Sequence, residues 1–149
     1  MLFHSKIVAL MKNRLSANEI VKGHNQEKII ENMNNLFDDQ QEIINFIIHT
    51  ADVSHNSKDF KISSKWTNLL MEEFWRQGDY EKQNSLSVSF LCDRETADVP
   101  KSQIGFIKGV IIPTFDVLID FLPELIYYND NVRKNIEKWG QIIEANAKL

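Results

Sequence analysis

Asp52 closes an apolar stretch that includes Ile43, Ile44, Phe46, Ile47 and Ile48, and a polar loop, Val53-Ser54-His55-Asn56, follows at once. A carboxylate at a helix end beside a loop can point into a cleft and bind a hard cation. The same pattern fits an aspartate that caps or hydrogen-bonds locally. His49 lies three residues earlier, within reach of Asp52 on a helix surface, as a metal partner or as a packed or surface histidine. Gln103 and Phe106 are also three apart, on a segment with helical character. An amide beside an aromatic face can grip a purine, because the amide bonds the base edge and the ring stacks on it. Such stacking contributes roughly 1–3 kcal/mol per base in single-strand binders. A core phenylalanine beside an exposed glutamine has the same spacing. His55 stands in a polar loop. Trp66, Leu70 and Phe74 recur at helical spacing and read as core or as one wall of an apolar pocket. Glu72, Glu73, Arg76 and Asp79 form a solvated or ion-paired face whose exposed pairs add little stability. Cys92 has no histidine beside it in sequence, and nothing marks it as a nucleophile.

The elements that must position these residues are helices. Glycine and proline are scarce, five and three in 149 residues. Ile7, Leu10, Met11 and Leu15 form one stripe at helical period. Ile43, Ile44, Ile47 and Ile48 form a second, Trp66, Leu69, Leu70 and Phe74 a third, and Val132, Ile136, Trp139 and Ile143 a fourth. No segment sustains the two-residue alternation of a strand, so the expected class is all-α. Gly78 follows the third stripe and suits a left-handed helix end. Asp98 ahead of Pro100 suits a cap followed by proline in the first turn. Residues 84–98 read mostly as a loop, and a further loop is expected between Ser16 and Asp39. Pro113 should bend or break the helix that starts near Pro100. Asn129 and Asp130 are candidate caps for the last helix.

Composition narrows the function classes. The length fits one domain with a real core. A net charge of −4 gives no basic footprint for nucleic acid, though a local metal site can still attract a small anion. The lone Cys92 excludes an internal disulfide framework and fits a reducing compartment. The most apolar stretch, Ile104 to Tyr128, is interrupted by Lys108, Asp116, Asp120, Glu124, Pro113 and Pro123, so no membrane span is expected. The first residues lack the basic-then-apolar order of a signal peptide, and a cytoplasmic chain is the expectation. There is no glycine-rich phosphate loop, no cysteine pair for zinc and no serine nucleophile elbow.

Several blocks occur in one order: Ala51-Asp52-Val53-Ser54, Lys58, Trp66-Thr67, Met71-Glu72-Glu73-Phe74, Gln77-Gly78-Asp79, Cys92-Asp93-Arg94 and Lys101-Ser102-Gln103, then Gly105-Phe106-Ile107. This order and its intervals resemble the second half of the catalytic domain of class I 3′,5′-cyclic-nucleotide phosphodiesterases. The likeness is densest from about Ile43 to Pro113, and Met1 and His4 match an Asp-Met-x-x-His stretch of that family. The resemblance implies a compact all-α helical bundle with its N-terminal part missing, residues 1–149 being the C-terminal portion of one catalytic domain. It implies hydrolysis of cAMP or cGMP to the 5′-monophosphate in signal transduction, by a water that two divalent metals, zinc and magnesium, activate in the complete domain.

By the same resemblance Asp52 falls on a metal ligand. Gln103 falls on the glutamine that reads the purine edge, and Phe106 on the ring that clamps the base, with Leu70 opposite. His55, Trp66, Thr67, Met71, Phe74, Leu91 and Ser102 fall on further substrate-pocket positions. The general acid and the other three metal ligands belong to the family's upstream His-Asn-x-x-His and His-Asp blocks, which this chain lacks. His4, His24, His49 and His55 do not reproduce their spacing, so no catalytic acid is assigned here, and the chain by itself is expected to hydrolyse no cyclic nucleotide. Three departures stand out. His55-Asn56 replaces the family's usual Asn-Pro, which points to acceptance of both nucleotides. Phe90-Leu91 replaces Pro-Met in a pocket loop, and Lys108 stands where an aspartate is usual. The competing expectation is a non-catalytic helical interaction or regulatory module, pairing through exposed helix faces as a homo- or hetero-oligomer. On either reading the apolar stripes at residues 7–15 and 43–48 are expected to lie exposed.

Overall fold

The computed structural model describes residues 2–17 and 40–148. The loop expected between Ser16 and Asp39 lies outside the described residues from position 18 onward, as do Met1 and His24, and the His4 side chain is not described. Helix α1 spans Leu2–Ala17 and α2 spans Gln40–Asp52. A short 3-10 turn, Ser54–Ser57, joins α2 to α3, Phe60–Gln83. After the loop at 84–98 come α4 (Val99–Phe106), a π-helical segment (Ile107–Ile111) and α5 (Ile112–Phe121). A second 3-10 turn, Pro123–Leu125, leads into α6, Ile126–Asn146. No strand occurs among the described residues, in agreement with the all-α expectation.

The core is built from one face of α1, α2, α5 and α6 and from the π-helical segment. Ile7, Val8 and Met11 of α1, Phe46 of α2, Ile107 and Ile111, Phe115, Val117 and Leu118 of α5, and Val132 and Trp139 of α6 form one buried cluster. Phe60 at the start of α3 meets Trp139 edge to face, with ring centroids 5.1 Å apart. Helix α6 packs against α4, α5 and the turn at Ser54–Ser57. Val99–Asp120 is long and apolar enough, by length and composition alone, to cross a membrane. Within it Ile107, Ile111, Phe115, Val117 and Leu118 are buried in the core cluster.

Two of the expected boundaries hold. The Asp98 side chain accepts from the Lys101 amide at 3.1 Å, with Pro100 in the first turn of α4. Pro113 sits at the start of α5, directly after the π turn, in which the Ile112 amide donates to the Ile107 carbonyl. Widening the ladder there relieves the crowding that a proline ring imposes on the preceding turn. It also has a geometric effect. Each step of four residues in an α-helix overshoots a full turn, by about 40°; one π turn takes back part of that drift. Gln103, Ile107, Ile111 and Phe115, four apart, all remain buried.

Other expectations are corrected. Gly78 does not end a helix, since α3 continues to Gln83 and no described glycine has positive φ. Its role is close approach: a Cβ at Gly78 would overlap the Cys92 carbonyl oxygen and stand 2.6 Å from the Cys92 carbonyl carbon. Asn129 and Asp130 do not cap α6, which begins at Ile126 without a side-chain cap. Asn129 is instead buried and donates to Asp116 at 3.2 Å. The third stripe, read as core or pocket wall, faces outward, and the second lies exposed as expected. Ile44, Ile47, Ile48, Trp66, Leu69 and Leu70 are exposed, while Phe46 and Thr50 of α2 and Ser63, Thr67, Met71 and Gly78 of α3 take the inner face. The α1 stripe was expected to be exposed, yet Ile7 and Met11 are buried, because α1 packs on α5.

Candidate functional site

Asp52 is the last residue of α2 and is exposed. Ile44, Ile48 and Asp52 recur every four residues, so the carboxylate lies on the exposed apolar face of α2, away from Phe46. Among the described residues no group of three or more His, Cys, Asp or Glu could hold a metal ion. His49 and Asp52 therefore assemble no metal centre by themselves.

The turn that follows carries His55, which is half-buried. Its Nε2 lies 2.9 Å from Asn56 Nδ2. Burial holds its pKa below the ordinary value of 6.5, because a poorly solvated imidazolium is disfavoured. Helix α6 fastens this turn. Asn135 Nδ2 donates to the Asn56 carbonyl at 2.8 Å and to the Lys58 carbonyl at 2.9 Å, and Asn131 Nδ2 donates to the Ser57 carbonyl at 3.2 Å. The Ser57 hydroxyl closes the turn on the Ser54 carbonyl at 2.7 Å. Sequence reasoning missed both asparagines. Helical asparagines read as solvated, and only a turn some 75 residues away gives them a task.

Gln103 is 6% exposed on the inner side of α4. Its Oε1 accepts from the Thr67 hydroxyl at 3.3 Å, which leaves both Nε2 protons to donate elsewhere. Ser63 precedes Thr67 by one turn, and its buried Oγ has no partner. Phe106, one turn after Gln103, lines a cavity of ≈ 620 Å³ with Leu91, Ser102, Phe90, Gly105 and Val110. The volume is within the range of small-molecule sites. The Ser102 hydroxyl is occupied by the Val99 carbonyl at 2.8 Å. Leu91 stands at φ 63°, in the left-handed region, inside a turn closed by the Cys92 amide and the Ser89 carbonyl at 3.0 Å. A non-glycine residue held there stores strain, about 1–3 kcal/mol.

Polar bonds from α3 hold that turn in place. Glu81 accepts from the Ser89 hydroxyl at 2.6 Å and from its amide at 2.7 Å. Lys82 meets Asp93 at 2.8 Å, and Arg94 meets Asp79 at 2.7 Å. Hydrogen bonds from these partners lower the pKa of Asp79, Glu81 and Asp93. Cys92 is buried, and burial pushes its thiol pKa up, away from the reactive thiolate form.

The structure therefore groups the sequence-predicted residues into three places. Leu91, Ser102 and Phe106 line one cavity. Thr67 and Gln103 form a buried bonded pair, with Met71 also buried one turn beyond Thr67. Asp52 and His55 lie at the α2–α3 junction. Trp66 and Leu70 are exposed on α3, and Phe74 is half-buried.

Comparison with known proteins gives this arrangement a family. The 3′5′-cyclic nucleotide phosphodiesterase family matches residues 1–132. The dual specificity calcium/calmodulin-dependent 3′,5′-cyclic nucleotide phosphodiesterase 1B of Bos taurus is 48% identical over 82 residues, 55% of this chain and 15% of that protein. The 1C enzyme of Mus musculus is 43% identical over 83 residues, 56% of this chain and 12% of that protein. Among solved structures, LmjPDEB1 in complex with IBMX matches 97% of this chain and 40% of its own, at TM-score 0.75 and 26% identity. The phosphodiesterase domain of the RhoPDE fusion protein of Salpingoeca rosetta shares the fold at TM-score 0.78, with 23% identity over 100% of this chain and 44% of its own. The chain thus spans less than half of each solved relative and a smaller part of the curated ones. With a family match over most of its length and two solved relatives of the same helical fold, the chain belongs to the class I 3′,5′-cyclic-nucleotide phosphodiesterases.

Proposed function

We propose that the chain forms the base-binding, C-terminal part of a catalytic domain that hydrolyses 3′,5′-cyclic nucleotides to 5′-monophosphates. The observation that carries this reading is the pair on α4. Gln103 has its carbonyl oxygen engaged by Thr67 and its amide protons left to donate, and Phe106, one turn away on the same helix, lines a cavity of ≈ 620 Å³. The donor addresses an acceptor on a purine edge, and the ring supplies the stacking face.

The family is metal-dependent. The residues described here do not fit a dinuclear centre, since Asp52 offers one exposed carboxylate without companions. We assign Asp52 as the single ligand this chain contributes, and zinc and magnesium as the ions of the complete domain. His55 and the dual-specificity names of the mammalian relatives support acceptance of both cAMP and cGMP. The chain by itself hydrolyses neither, and metal-dependent turnover abolished by Asp52→Ala would overturn that statement. We place the protein in the cytoplasm, on the ground of its lone buried cysteine.

The binding reading is tested by titrating the labelled chain with cAMP and cGMP at millimolar concentration. Both should shift the amide signals from Gln103 to Phe106. Phe106→Ala should weaken binding roughly 5- to 150-fold, which is the worth of one stacked base. Silence of those amides with both nucleotides refutes the reading. A second reading, a non-catalytic helical interaction module, is favoured by the exposed apolar faces of α2 and α3. Nucleotide-independent association with other helical chains, combined with silent α4 amides, would put it first.

A further inference from the structure

The chain's C-terminal helix reaches back to the turn beside Asp52 with an economy of groups. Asn56, Ser57 and Lys58 present three successive carbonyls, and all three accept from two asparagines one turn apart on α6. Asn131 is 5% exposed and Asn135 is 2% exposed. Asparagine is a mediocre helix former, and burying an amide is costly unless it is bonded. A buried pair with every described Nδ2 bond aimed at one turn is explained by the turn. Asn135 uses its two N–H groups to bridge the carbonyls on either side of Ser57.

The chain of contacts continues to the imidazole. Asn56 is fully buried, and its backbone is held by Asn135. Its side-chain amide donates to His55 Nε2 at 2.9 Å. A nitrogen that accepts carries no proton, so the neutral ring bears its proton on Nδ1. The Lys58 amide closes the same turn on the His55 carbonyl at 3.2 Å. We propose that Asn131 and Asn135 are positioning residues for His55, fixing through the 3-10 turn both the place of the imidazole and the nitrogen that carries its proton. The proposal deepens the functional reading above, in which His55 faces the cyclic nucleotide, and rests on it for its consequence.

The test uses the 149-residue chain labelled uniformly with ¹⁵N. Long-range ¹H–¹⁵N spectra report which ring nitrogen is protonated, and His55→Gln identifies the signal. Wild type should show the Nδ1–H form. Asn135→Ala should shift the ring toward the Nε2–H form and speed exchange of the Lys58 amide roughly tenfold, the loss of about one hydrogen bond. Amides of Met71 and Ile107 should keep their protection. Asn131→Ala removes a single bond and serves if Asn135→Ala does not fold. Asn56→Leu, which leaves the carbonyl bonds from α6 in place, should change the ring without loosening Lys58. An unchanged ring and unchanged Lys58 exchange in both α6 variants overturns the proposal. So does loosening spread equally to Met71 and Ile107, which marks a general stability role. Nucleotide titration of the same wild-type sample keeps the two claims apart. Silent His55 and α4 signals refute the functional reading, while ring form and Lys58 exchange still decide the positioning role.

Discussion

Replacing Gly78 with alanine should destabilise the chain, although glycine in mid-helix is ordinarily a weakness. In an open helix the change to alanine stabilises by about 1 kcal/mol. At Gly78 the new methyl would meet the backbone of Cys92. It would overlap the carbonyl oxygen and stand 2.6 Å from the carbonyl carbon, against about 3.4 Å for an ordinary contact. The obstacle is peptide backbone, which cannot rotate aside as a side chain can. The loop at 84–98 must then retreat by about 1 Å, straining its bonds to Glu81, Lys82 and Asp79. Overpacking of this kind costs about 3 kcal/mol at the upper end. After the helix gain, a net loss of about 2 kcal/mol remains, or about 4–8 °C in Tm for a chain of this length. Gly140→Ala is the control, since nothing lies within 4 Å of its added Cβ. It should raise Tm by a few degrees. The assay is thermal unfolding of the three chains side by side. A Gly78→Ala chain as stable as wild type would refute the close-approach argument and return Gly78 to the role of an incidental residue.

Three other perturbations have defined outcomes. Thr67→Val should cost about 1–3 kcal/mol by leaving the buried Gln103 carbonyl unbonded, whereas Thr67→Ser keeps the bond and should lose only a buried methyl, about 1 kcal/mol; a Thr67→Ser loss as large as that of Thr67→Val would show that packing, not the bond, matters. Burial lowers the folded pKa of His55, so the unfolded chain binds that proton first on acidification. The stability His55 confers is therefore complete above pH 6.5 and drains away as pH falls through the folded value, and wild type should lose more Tm than His55→Gln between about pH 8 and about pH 5; parallel curves would refute this. Ile48 is 62% exposed on the face that carries Asp52, and light scattering should show concentration-dependent association that Ile48→Glu reduces; a wild-type monomer at every concentration would remove apolar association as a property of that face.

What could be read from the sequence was local or carried by ordered motifs. The Asp98–Pro100 start and the interruption at Pro113 follow from short-range chemistry and appear as expected. Periodicity identified α2 and α3 as amphipathic but could not say which side is inward. The α3 stripe reads as core by its period alone, yet Trp66 and Leu69 face outward while Ser63 and Thr67 are buried; the exposure of Ile44 and Ile48 followed from the resemblance to one part of a larger domain, not from periodicity. Gly78 was misread because its reason lies in a loop fourteen residues away. Asn131 and Asn135 were missed because their partners lie more than seventy residues upstream. At the site, the motif order selected Gln103 and Phe106, but no sequence rule places the Thr67 hydroxyl on the Gln103 carbonyl.

The π turn at Ile107–Ile111 bears on how this protein can change over time. A π turn holds one residue more than the α turn it replaces. Deleting one residue there, Gly109 for instance, would let the ladder close as plain α-helix. The widened turn already absorbs that extra residue, so the downstream helix would keep nearly its orientation about the axis relative to Gln103. Phe115, Val117 and Leu118 would stay on the core face. Loss of one residue is therefore tolerated at this turn, whereas the same loss in the middle of α3 or α6 would swing every later side chain by about 100°.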